Sequence, residues 1–311
     1  MPAVIPAPLR EERLKPPAGR VRFVLDTDTK NEIDDQFAVV YALTSPKLQC
    51  DALYAAPFKK ASHPTAALGM EASYEEILRL IELMGYENPP PVLRGSERFI
   101  TEGGAPPESD AVRDLIERCQ GPEPVYVVAI GALTNIAAAL LLRPEIAQNM
   151  ILLWLGGHPE YWHTAREFNL SGDIKATQIV LDSGVPLVRF PCKNVAEHVV
   201  SVPAEIEAYV GRLGRIGAYL SRIFADYIPG ELRSKVIWDV VPLAWLVSPE
   251  WVPSRLVPTP RLRDDETWDL SDTTRPLCRV AIDARRDPIL KDFVASLSAY
   301  VERRGAANES A

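Results

Sequence analysis

Five carboxylates, Asp26, Asp28, Glu32, Asp34 and Asp35, fall within ten residues in the stretch LDTDTKNEIDDQF. Like charges this close repel strongly unless something positive sits among them. A helix N-terminus favours a nearby anion by only about 0.3–1 kcal/mol, too little for a converging cluster. A hard cation with oxygen ligands, Ca²⁺ or Mg²⁺, is the natural remedy, because such ions gather carboxylates and backbone carbonyls. The competing reading is a solvated acidic loop at the start of a helix. The flanking sequence favours the cation.

In front of the acids, Val21 to Leu25 carries Val, Phe, Val and Leu with only Arg22 charged, which reads as a short buried strand. Behind them Ile33, Phe37, Val40, Tyr41 and Thr44 recur at helical spacing, with Asn31 placed to cap the first turn. The acids therefore sit where a strand ends and a helix begins. In open α/β sheets ligands bind in that crevice, outside the carboxyl ends of the strands.

The rest of the chain repeats the alternation. Apolar strands are expected at 48–56, 89–93, 124–130, 150–155, 185–190 and 277–282. Helices are expected at 74–84, 110–119, 135–142, 174–181, 206–226, 236–247 and 288–302. Strands apolar throughout and separated by helices predict an α/β fold with an open, mostly parallel central sheet flanked by helices. Composition does not break within residues 21–311, so they read as a single domain. Residues 1–20, rich in proline and charge, read as a loosely ordered or surface-wrapping arm.

Composition narrows the partners. A net charge of −8 and a pI near 5.2 argue against nucleic acid or an anionic membrane. The four cysteines, Cys50, Cys119, Cys192 and Cys278, form no CxxC pair, which suits free thiols in the cytoplasm better than a disulfide framework or a zinc site. No apolar run approaches membrane-spanning length, and the N-terminus lacks the apolar core of a signal peptide.

Several blocks then come in a recognisable order: the strand–DxD–DD–helix opening, GALTNIA at 131–137, Gly156-Gly157 at a strand end, and EFN at Glu167 to Asn169 followed by Asp173. A late Asp239 opens a helix. Over about residues 20–300 the chain resembles the inosine–uridine-preferring nucleoside hydrolase family, whose opening motif is DxDPGxDD. The resemblance implies an open α/β fold, one Ca²⁺ at the carboxyl ends of the strands, and hydrolysis of the N-glycosidic bond of a ribonucleoside. It implies that Asp28, Asp35, Asp239 and the backbone carbonyl of Ile130 ligate Ca²⁺. Asp34, Glu167 and Asn169 would hold ribose hydroxyls, and Asp28, beside a Ca²⁺-bound water, would be the general base. It further implies a homodimer or homotetramer.

The chemistry suits those roles. Cleaving a ribosyl C–N bond passes through an oxocarbenium-like state, which a carboxylate-lined pocket stabilises. A carboxylate and an amide side by side can fix two adjacent hydroxyls.

Three departures from the family pattern bear on the base side. The segment between Asp28 and Asp34, TKNEI, is two residues longer than usual, so Asn31 and Glu32 are additions near the metal. Glu32 is either an extra ligand, an acid behind the ligands, or part of a helix cap. The asparagines expected after the second strand and before EFN are absent; the second loop reads HPEYWHTAR instead. Trp238 stands where a histidine often precedes the late Asp. Trp162 and Trp238 either stack on a base or are ordinary core or rim tryptophans. His163 and His158 are the candidate leaving-group acids, set against the plainer reading of solvated loop histidines. His63 and His198 are weaker candidates.

Two rivals remain at this point. A haloacid-dehalogenase-type phosphatase also places DxD after a strand, yet it wants Thr or Val where Lys30 stands and has no role for Asp34, Asp35 or EFN. A catalytically silent nucleoside- or ribose-binding protein would use the same metal and hydroxyl contacts without turnover.

Overall fold

Strand β1, Val21–Thr27, is buried from Phe23 onward because its side chains are packed on both faces. Phe23 and Leu25 join an apolar layer with Phe37, Trp245 and Phe293, while Val24 joins the opposite layer with Val127, Ala137 and Trp154. The computed structural model describes residues 5–228 and 233–309. Five further strands continue the sheet: β2 (Leu48–Ala55), β3 (Val92–Arg94), β4 (Val125–Ala129), β5 (Met150–Leu155) and β6 (Leu187–Phe190). They lie in the order β3-β2-β1-β4-β5-β6, all parallel, followed by Leu277–Ala281. Ser254–Pro258 closes that edge antiparallel. The order reverses between β1 and β4, which makes the gap beyond their carboxyl ends the switch point of a doubly wound sheet.

Helix α2, Asp34–Thr44, and helix α10, Val240–Val247, are buried at every position. A helix apolar all round belongs inside a protein, and burying both carries their N-terminal acids inward. The spacing places Asn31 as the cap of α2, but the helix starts three residues later, after Ile33, with no side-chain cap. Asp34 and Asp35 instead fill its first turn, where negative charge is favoured.

Three expectations are corrected or narrowed. The helix expected over 206–226 is two, Pro203–Tyr209 and Gly214–Tyr227. The break falls where Gly214 takes a positive φ of 67°, a conformation that interrupts a right-handed helix. The arm reads as loose or surface-wrapping, and its described residues lie against the body of the chain. Residues Ala7–Arg13 form a helix, Leu14 is fully buried, and Arg10 donates to the carbonyls of Val185 and Leu277. Proline and charge hid the anchors, because one arginine and one leucine leave no periodic signal. Finally, a short hairpin, Arg261–Leu262 against Trp268–Asp269, lies where no strand was expected. Among the described residues no helix is long and apolar enough to cross a membrane, and all four cysteines are free.

Candidate active site

Asp28 follows β1 directly, and Ile130 follows β4. Asp28 rests against Gly131, where a Cβ would lie 3.2 Å from its Cγ. A larger residue there would crowd the carboxylate, so the glycine of the GALTN turn is a matter of space. The asparagine of that motif, Asn135, ties the strand ends together. Its Nδ2 donates to Asp26 at 2.7 Å, and its Oδ1 accepts from the Ser96 amide at 2.7 Å. Thr134 donates to Asp173 at 2.9 Å, and Asp173 also accepts from the Ile100 and Thr101 amides. Asp26 and Asp173 therefore brace the framework.

Carboxylate oxygens of Asp34, Asp35 and Asp239 all lie within 4.8 Å of one another, and all three side chains are buried. Asp28 stands against Asp35, outside this tight trio. The structure thus brings front and rear of the chain together, and it places Asp34 in one cluster with Asp35 and Asp239. Burial, reinforced by Asp35 and Asp34, holds Asp28 well above the usual carboxylate range. Burial and then Asp34 do the same to Asp239. Asp35 is pushed up to about 7, mainly by burial and then by Asp34, against a 2.6 Å hydrogen bond from Thr27 that favours its charge.

The donor set fits a hard divalent cation. Asp28 Oδ2 is buried without a hydrogen-bond partner, and a buried polar atom of that kind calls for an explanation. The donors are all oxygens, which Ca²⁺ and Mg²⁺ prefer. The nearby Cys192 thiol is pushed well up by burial and then by Glu167, so it stays protonated and offers no thiolate.

These shifts set a pH dependence. An acid whose folded pKa is raised stabilises the fold fully below its unfolded pKa, and that contribution is lost as pH rises through the folded value. Asp26, lifted mainly by burial, and Asp35 both sit at about 7. The cation-free protein is therefore expected to lose thermal stability between about pH 4 and about pH 7. Added Ca²⁺ should raise the melting temperature more at about pH 7.5 than at about pH 5, because bound cation favours ionised acids. Calorimetric melts check this; an equal shift at both pH values would contradict it.

A cavity of about 240 Å³ opens over the cluster, lined by the four aspartates, Asn31, Glu32, Ile130, His158, Glu167, Phe168, Asn169 and Trp238 among others. Glu167 caps helix α6, Phe168–Gly172, and accepts from the amides of Leu170 at 2.6 Å, Gly157 at 2.8 Å and Asn169 at 2.9 Å. Burial lifts its pKa against these hydrogen bonds. Asn169 donates through Nδ2 to the carbonyls of Ile130 at 3.1 Å and Leu155 at 3.0 Å. Its Oδ1 is thereby left as the acceptor.

The base-side expectations divide. Trp238 and His158 line the cavity, and burial lowers the His158 pKa. Trp162 does not line it: its ring packs edge-on to His158 with centroids 6.2 Å apart. His163 also lies off the cavity, exposed, with its ring 5.6 Å from Trp162. His63 bonds Ser62, and His198 pairs with Asp283 at 2.9 Å.

Sequence reasoning missed four neighbours. Phe168 lies inside the EFN block yet is exposed at the cavity mouth, and Cys192 and Lys193 follow β6. The fourth, Lys235, is a buried ammonium 3.1 Å from Asp34 and 2.6 Å from Glu32. Its signal was an isolated lysine four residues before Asp239, in a chain with unbalanced acids upstream.

A doubly wound sheet with buried acids and a cavity at its switch point is an arrangement found among α/β enzymes that act on small molecules. The profile of the inosine-uridine preferring nucleoside hydrolases matches residues 23–290, and the chain belongs to that family, enzymes that hydrolyse N-ribosyl bonds. It is 28% identical over 254 residues to a non-specific ribonucleoside hydrolase RihC of Salmonella schwarzengrund, covering 75% of this chain and 80% of that one. The RihC of Salmonella agona is 29% identical over 255 residues, with coverage of 74% and 79%. Among solved structures, a plant nucleoside hydrolase, PpNRh1, superposes with a TM-score of 0.72 at 21% identity, over 89% of this chain and 99% of that one. A purine-preferring ribonucleoside hydrolase from Gardnerella vaginalis gives 0.71 at 20% identity, over 90% and 99%. These two likenesses concern the fold. Family membership removes the phosphatase reading.

Proposed function

We propose that the protein hydrolyses the N-glycosidic bond of a ribonucleoside, releasing base and ribose, with one Ca²⁺ among its buried acids. The observation that carries this reading is the convergence of Asp34, Asp35 and Asp239 beside Asp28, under a cavity edged by Glu167 and Asn169. Asp28, Asp35, Asp239 and the Ile130 carbonyl are the proposed ligands. Ca²⁺ would supply charge to hold these acids together and would polarise the attacking water.

The chain's own groups do the rest. Asp28 has an unpartnered oxygen and a raised proton affinity, which suits a base that removes a proton from water. Asn169 Oδ1, Glu167 and Asp34 accept sugar hydroxyls, and the backbone bonds on Glu167 and Asn169 keep both side chains in place before substrate arrives. The surrounding carboxylates stabilise positive charge developing on the ribosyl ring. On the base side Trp238 and Phe168 offer aromatic faces. His158 is held neutral near pH 7 by burial, so it serves as a hydrogen-bonding partner and not as an imidazolium acid. Departure of the base then relies on stacking and on the base's own proton affinity.

That neutral base side is the observation favouring the second reading, a silent nucleoside binder. Incubating the protein with Ca²⁺ and a panel of ribonucleosides, followed by a reducing-sugar assay, separates the two. Ribose release that EDTA suppresses is expected; nucleoside binding without ribose release would favour the binder. We also read the chain as a cytoplasmic homo-oligomer, on its acidic charge, its free thiols and the family resemblance.

Trp238→Ala tests the base wall. Its indole lines the cavity while its backbone amide, which the substitution keeps, donates to Asp34 at 3.2 Å. The variant should raise KM by about tenfold, the worth of an aromatic contact at about 1–1.5 kcal/mol. Ca²⁺ affinity should stay within about twofold. A loss of Ca²⁺ affinity as large as that of KM would place Trp238 with the metal instead.

A further inference from the structure

Among the described residues Lys235 is the only buried lysine, and it lies against the acid cluster. An ammonium has three N–H donors, and three acceptors meet them: Glu32 at 2.6 Å, Asp34 Oδ1 at 3.1 Å and the Val236 carbonyl at 2.9 Å. The rings of Tyr227 and Trp238 flank it at 5.6 and 6.0 Å. With its donors taken, Lys235 has none left for a substrate anion. Its effect must pass through what it holds.

Asp34 is what it holds. Each of its oxygens takes one donor, Lys235 Nζ on Oδ1 and the Trp238 amide on Oδ2, so the carboxylate plane is set from two sides. Glu32 belongs to the lengthened opening loop, and that loop is anchored separately. Lys60 donates to the carbonyls of Lys30 and Asn31, and Lys30 pairs with Glu76 at 2.9 Å. The extension therefore presents Glu32 to Lys235 from a fixed base.

We propose that Glu32 and Lys235 are a positioning pair. The extended loop holds Lys235 through Glu32, and Lys235 orients Asp34 for the sugar while offsetting one buried negative charge. This inference rests on the ribonucleoside reading above. It assigns Glu32 as the anchor of a lysine and not as a metal ligand. Lys235 sits on Asp34, whose carboxylate lies within 4.8 Å of the carboxylate oxygens of Asp35 and Asp239, so its charge repels a cation held there and the pair weakens cation binding as it sharpens substrate binding.

The test titrates CaCl₂ alone into the cation-free protein by calorimetry and, separately, measures KM and kcat for the best ribonucleoside. Lys235→Met should tighten Ca²⁺ by about fivefold or more, since a repelling charge is gone. The same variant should raise KM by about tenfold or more, since Asp34 is no longer set. A general loss of structure would weaken both, so the opposed signs are the signature. Glu32→Gln alters a partly exposed side chain and keeps the fold if Lys235→Met does not. It should raise KM about threefold and leave Ca²⁺ affinity within about threefold, whereas loss of a ligand would cost about a hundredfold. In Lys235→Arg the retained charge should keep Ca²⁺ affinity near that of the parent.

Ca²⁺ affinity unchanged or weakened in Lys235→Met overturns the proposal, as does a hundredfold Ca²⁺ loss or an unchanged KM in Glu32→Gln. A parent protein that takes up no Ca²⁺ overturns it too. A parent that binds Ca²⁺ yet releases no ribose sinks the hydrolase reading alone, and the titration still decides the pair.

Discussion

Asp239→Asn is expected to lower kcat/KM by about 10³-fold or more and to weaken Ca²⁺ binding by about a hundredfold. Asp239 sits immediately before α10, whose eight residues are all buried, so its backbone has no freedom to bring another ligand forward. Asparagine preserves the size of the side chain and removes its charge. The tight trio of carboxylates then becomes a pair, drawn only from the front of the chain. Steady-state ribose release and calorimetry on the same preparation check both effects. Near-native turnover would mean that the rear of the chain supplies no ligand and that the site is misassigned.

Asp28→Asn should cut activity as deeply, by about 10²–10⁴-fold, the usual worth of a general base, with a smaller loss of Ca²⁺ affinity than Asp239→Asn. The difference follows from position. Asp28 stands against Asp35 but outside the trio, and one of its oxygens has no partner. A carboxylate so placed has an oxygen to spare for a water. Activity within tenfold of the parent would remove Asp28 from the proton-transfer role. A Ca²⁺ loss equal to that of Asp239→Asn would make it a ligand of the same rank.

Strong local signals carried most of the fold. β5, Met150–Leu155, and the helix Asp110–Cys119 lie where the apolar pattern places them. The acids at the end of β1 were legible because charge density and a strand-to-helix junction coincide there. Side-chain direction was not. Asp34 and Asp35 are neighbours in sequence, and only the buried first turn of α2 decides that both face the cluster. The loop 158–166 shows the same limit. His158 reaches the cavity while Trp162 and His163 do not line it, and no periodicity governs a loop without regular structure. Lys235 was hidden for another reason: its partners, Glu32 and Asp34, lie about two hundred residues upstream. A long-range ion pair leaves no spacing to read.

The central claim is that one divalent cation is shared by acids from both ends of the chain. Its most direct measurement is a crystal structure of the protein grown with Ca²⁺ and ribose, with the ion located by anomalous scattering. A single peak per chain, bound by Asp28, Asp35, Asp239 and the Ile130 carbonyl with ribose hydroxyls against Asn169 and Glu167, is the predicted result. An ion bound elsewhere, or ribose seated with these aspartates holding no ion, would contradict the account.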